Sequence, residues 1–68
     1  MIVYDRLWDM LKTNNVSQYR LLKSGISHST LARLKKNQSV SVDTIDKLCD
    51  ILQCRVEDIM EHKNNPGN

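Results

Sequence analysis

The sequence predicts an all-α domain of five short helices. Three observations carry that prediction. Apolar residues recur three and four positions apart along most of the chain, the period of a helix with one buried face. Ser17, Ser27 and Ser41 each stand just before such a stretch, where a hydroxyl can accept from a free helical N–H. Thr13-Asn14-Asn15, Gly25 and Asn37-Gln38-Ser39 punctuate the stretches with turn chemistry. No period of two is sustained; Ile2-Val3-Tyr4 could at most add a short extended piece.

The first helix is expected from about Tyr4 to Lys12, with Leu7, Trp8 and Leu11 on one face. Asp5 near its start and Lys12 near its end suit the helix dipole. The second starts after Ser17 and stops at Gly25, with Tyr19, Leu21 and Leu22 facing inward. Glycine ends a helix well because it enters the left-handed conformation without steric penalty. Ile26 fills the turn, and Ser27 caps a third helix from His28 to Lys36. Leu31 and Leu34 form its seam, leaving His28, Ser29, Ala32, Arg33 and Lys36 outside, with Thr30 half-buried and bonded back toward Ser27. After the Ser41 cap, Ile45, Leu48, Cys49 and Leu52 make an i, i+3, i+4, i+7 stripe. Gln53 occupies the exit, Cys54 reads as buried, and a last helix from about Val56 to Glu61 seats Ile59. The domain is expected over residues 1–63, with 64–68 a flexible tail lacking an apolar anchor.

Sixty-eight residues hold one domain and leave no room for a substrate cleft with a supporting shell. Neither paired carboxylates on a common cleft, nor a glycine-rich loop before a helix, nor a nucleophile beside a base is legible, so no enzyme is expected. The two cysteines, Cys49 and Cys54, lack metal-ligand spacing and read as reduced core residues, so no metal or cofactor is expected. No apolar run approaches the ~18 residues of a membrane span. The opening Met-Ile-Val-Tyr-Asp is unlike a signal peptide, which points to a cytoplasmic protein.

The net charge of +2 conceals a division. Between Met10 and Val42 there is no Asp or Glu, while Lys12, Arg20, Lys23, Arg33, Lys35 and Lys36 are all cationic. All eight carboxylates lie outside that block. Such a block suits a surface facing polyanion phosphates. Inside it, a capped helix, a glycine turn holding one aliphatic and a second capped helix have the layout of a helix-turn-helix. In that unit the second helix can enter the major groove of DNA. Arg33 is long enough there to reach guanine O6 and N7, and Lys35 and Lys36 are placed for phosphates.

These residues resemble the Cro/CI-type (Xre) helix-turn-helix repressors. The likeness spans about Leu7 to Met60. It rests on Ser17-Gln18, on Gly25-Ile26-Ser27-x-Ser29-Thr30-Leu31-x-Arg33-Leu34, on Asn37, on Thr44-Ile45-x-Lys47-Leu48-Cys49-x-Ile51-Leu52 and on Cys54-x-Val56-x-Asp58-Ile59. It implies a five-helix, lambda-repressor-like domain that binds double-stranded operator DNA, usually as a homodimer; no membrane and no small-molecule ligand are expected. It further implies base contacts from His28 and Ser29 beside Arg33, and phosphate contacts from Ser17 and Gln18 beside Lys35 and Lys36. The chain departs from the family pattern in three places. Gln18 to Gly25 is one residue short, Leu21 stands where a small Ala is usual, and Gln53 and Arg55 replace Gly or Asn and a capping Ser or Asp. The competing readings are a protein-interaction adaptor and an antitoxin-like partner that keep the fold. The operator and the sign of regulation are not legible.

Overall fold

Four helices and a two-stranded ribbon make up the domain in the computed structural model, which describes residues 1–64. In chain order they are β1 (Ile2–Val3), α1 (Asp5–Thr13), α2 (Gln18–Lys23), α3 (His28–Lys35), α4 (Val42–Leu52), a 3-10 turn (Val56–Asp58) and β2 (Glu61–His62). Residues 65–68 of the expected tail lie outside the described residues.

The helix starts follow local chemistry. Ser17, Ser27 and Ser41 hold extended backbone, and their side chains accept from the N–H groups of Arg20, Thr30 and Thr44. Each such cap contributes about 1 kcal/mol. The ends share one device. A residue in the left-handed region follows each helix: Asn15 at φ 56°, Gly25 at 108°, Asn37 at 55° and Gln53 at 52°. The next amide then bonds back five residues: Val16 to Leu11 at 2.8 Å, Ile26 to Leu21 at 3.0 Å, Gln38 to Arg33 at 2.8 Å and Cys54 to Cys49 at 3.1 Å. This closure satisfies carbonyls that the helix leaves free and brings the two bonded residues together. Gln53 thus does the work of the usual Gly or Asn; its Nε2 donates to Asp50 O at 2.7 Å.

Leu7, Leu21, Leu34, Leu48 and Ile59 are the fully buried centre, one from each helix and one from the C-terminal segment. Burying such a side chain is worth about 1.5–3 kcal/mol. Leu11, Ile26, Leu31 and Ile45 complete the core with Tyr4, and Trp8, Leu22, Cys49 and Leu52 pack against it half-exposed.

Three expectations need correction. The fifth helix is a single 3-10 turn, and at Glu61 the chain is already extended. Three residues cannot propagate an α-helix against its nucleation cost, and pairing with the N-terminus satisfies the backbone instead. That pairing is antiparallel, Ile2 opposite His62 and Val3 opposite Glu61, a long-range contact that no local period announces. Tyr19 is 66% exposed rather than inward. Leu21 is buried as expected, its carbonyl anchors the Gly25 turn, and it shares the core with Ile26, which leaves Tyr19 on the outer side of this short helix. Finally, Cys49 and Cys54 are half-buried free thiols, not fully buried ones.

Candidate nucleic-acid interface

The Gly25 turn sets α3 on α2. At φ 108° the backbone demands glycine, and a Cβ built there would meet Lys47 Nζ at 3.2 Å. The Lys47 stem therefore lies over the turn from α4. Ser27 then caps α3 with a closed hydroxyl cluster: Ser27 Oγ accepts from Thr30 N at 3.1 Å and donates to Thr30 Oγ1 at 2.9 Å. With that hydrogen committed, the 3.1 Å contact between Ser27 and Ser29 is donated by the exposed Ser29. Thr30 is half-buried and bonded to Ser27, as its structural reading required.

The outer face of α3 carries two adjacent strips. His28, Ala32 and Lys35 stack along one, and Ser29, Arg33 and Lys36 along the other. All six are exposed, while Leu31 and Leu34 hold the opposite side to the core. Small residues separate the long ones, so the helix backbone can approach a partner closely while Arg33, Lys35 and Lys36 reach past it. Ser17 and Gln18 are exposed at the start of α2. Ser17 Oγ is engaged by Arg20 N at 3.2 Å. The helix-turn-helix thus gathers His28, Ser29, Arg33, Lys35 and Lys36 on one helix and presents Ser17 and Gln18 on its neighbour.

Electrostatically the face is unopposed. The ion pairs among the described residues, Arg6–Glu61 at 3.3 Å and Lys63–Asp5 at 3.7 Å, both tie α1 to the ribbon. None of the six block cations joins an ion pair among the described residues. Among those residues no group of three or more His, Cys, Asp or Glu is arranged to hold a metal. Among the described residues no helix is long and apolar enough to cross a membrane.

Sequence reasoning missed three neighbours of this face. Gln38 bonds through its N–H to Arg33 O, and its own carbonyl accepts from the Tyr4 hydroxyl at 3.1 Å. Asn37 Oδ1 accepts from Tyr4 N at 3.0 Å. The turn after α3 is thereby pinned to the N-terminus, and Gln38 stands beside the base of Arg33. The signal was available in Asn37, a residue suited to the left-handed position. Tyr19 is the third. It projects from α2 next to Gln18 with Lys23 Nζ 5.6 Å from its ring centre, a cation–π contact. A shallow hollow bounded by Thr30, Arg33, Ser39, Val40, Ser41 and Thr44 adjoins the end of the strip.

Comparison with known proteins agrees with this geometry. Residues 6–65 match the model of the Cro/C1-type HTH DNA-binding domain. The crystal structure of the transcriptional regulator VanUg superposes with a TM-score of 0.86 at 31% identity, covering 94% of this chain and 87% of that one. No curated protein sequence matches the chain.

Proposed function

The chain belongs to the Cro/C1-type helix-turn-helix DNA-binding family, and from that premise we propose that it is a sequence-specific transcriptional regulator acting as a repressor. One observation carries the reading. Every outward side chain of α3 is small, polar or cationic, and none of its cations is spent on a carboxylate among the described residues. Inserted in the major groove, α3 would bring Arg33 to a guanine edge through a bidentate contact, with His28 and Ser29 reading bases from its first turn. Ser17 and Gln18 on α2, and Lys35 and Lys36 at the far end of α3, would grip phosphates and fix the register. VanUg's description as a transcriptional regulator supports the same role here. A site overlapping a promoter would repress by exclusion, in the cytoplasm where the DNA lies.

One such helix reads few base pairs, so the proposed unit is a homodimer on an inverted repeat. Half-site centres would lie about one turn, roughly 34 Å, apart. Selection of bound sequences from a random duplex pool tests both claims. The expected product is a palindromic consensus. Recovery of no consensus, with binding that persists on every duplex alike, would leave a non-specific binder and remove the regulator reading. Sedimentation of the selected complex as one protein per duplex would remove the dimer.

A further inference from the structure

The end of α4 carries a chemical feature that DNA binding does not use. Each helix ends in the same five-residue closure, which brings the residues at its two ends together. At α1 and α2 those residues are hydrocarbon, Leu11 with Val16 and Leu21 with Ile26. At α4 they are the two cysteines of the chain. Gln53 at φ 52° reverses the backbone, and Cys54 N bonds to Cys49 O at 3.1 Å, which folds the second cysteine back beside the first. Both are half-buried and free, and both line one open hollow with Asp50, Gln53, Arg55 and Asp58. A disulfide requires Cα atoms about 4.4–6.8 Å apart and converging side chains. The backbone closure supplies the proximity, and the shared hollow places both side chains on the same side of the chain.

We propose that Cys49 and Cys54 form a redox-active dithiol that closes to an intramolecular disulfide on exchange with a small-molecule disulfide. The thiolate of one cysteine attacks a sulfur of the small disulfide, cleaving its S–S bond and releasing one small thiol, which takes up the proton. The second cysteine loses its proton and attacks the protein sulfur of the mixed disulfide, releasing the second small thiol, which takes up that proton. The protein loses two S–H bonds and gains one S–S bond. The small disulfide is reduced to two thiols, so atoms and electrons balance.

The surroundings set the speed of this step. Burial raises the Cys49 thiol and pushes Cys54 up to about 11. The carboxylate of Asp58 acts in the same direction on both, with Asp46 and Asp50 adding to Cys49. Thiolate is therefore scarce near neutral pH, and exchange should quicken about tenfold per pH unit between about pH 7 and 9.

The test equilibrates the full chain in mixtures of oxidised and reduced glutathione, followed by acid quench, alkylation and trypsin. Cleavage after Lys47 and Arg55 gives one peptide, Leu48–Arg55, holding both cysteines. Its mass separates the dithiol, the mixed disulfide and the closed disulfide. A short flexible link gives an effective concentration only in the ~mM range. The native closure should raise the closed-disulfide equilibrium constant at least about tenfold over the same chain unfolded in urea. A native constant equal to or below the unfolded one would overturn the proposal. So would oxidation that stops at mixed disulfides or yields only covalent dimers.

Discussion

Replacing Arg33 by Ala separates reading from holding. The Arg33 side chain is exposed and makes no ion pair among the described residues, and its backbone closure with Gln38 survives truncation. The guanidinium makes no hydrogen bond or ion pair among the described residues, so stability should stay within about 0.5 kcal/mol, or about 2–4 °C in melting temperature. A bidentate guanine contact is worth about 1–3 kcal/mol of discrimination, which converts to about 5- to 150-fold weaker binding on the selected sequence. On scrambled DNA the loss should remain within about threefold, because no base edge is matched there to begin with. The assay is a fluorescence-anisotropy titration of both proteins on both duplexes at fixed salt, alongside thermal melts. Equal losses on the two duplexes would make Arg33 a phosphate contact and pass base reading to His28 and Ser29. A collapse of the melting temperature would mean that the outward strip of α3 is wrongly phased, and the recognition face with it.

Further outcomes follow from the same geometry. With roughly four to six phosphates neutralised per protomer, log K against log salt should slope about −4 to −5 per protomer, and Lys36→Ala should weaken all sequences alike while lowering that slope by about one. A flat slope from about 50 to 200 mM salt would remove the electrostatic argument. Gly25→Ala forces a side chain into a left-handed conformation at φ 108° and against Lys47 Nζ, and should cost about 1–3 kcal/mol in urea denaturation. Lys47→Ala relieves only the contact, so rescue of Gly25→Ala by that second change would show that crowding rather than backbone strain dominates. Asn37→Ala removes both a residue tolerant of φ 55° and the acceptor for Tyr4 N, and should lower stability by about 1–3 kcal/mol without altering the salt slope.

The chain's local chemistry decided most of the helical frame. The hydroxyls of Ser17, Ser27 and Ser41 act within three residues of themselves, so their capping roles were legible from position alone. The Leu31–Leu34 seam left the outward face of α3 little choice, and the charge division made that face basic whatever the packing. Tertiary structure decided what local period leaves degenerate. In a six-residue helix holding Tyr19, Leu21 and Leu22, several phases bury two apolar residues. The bond from Ile26 N to the Leu21 carbonyl selected Leu21 for the core and turned Tyr19 out beside Gln18. The segment after Arg55 could have continued as helix, but pairing of Glu61–His62 with Ile2–Val3 drew it into a ribbon across nearly the whole chain. Likewise, Asn37 and Gln38 read as a plain turn until Tyr4, far upstream, supplied the donors that fasten them. Caps and seams act over three or four residues and are written locally. Strand partners and core phase are set by free-energy differences between distant segments, which only the folded chain brings into contact.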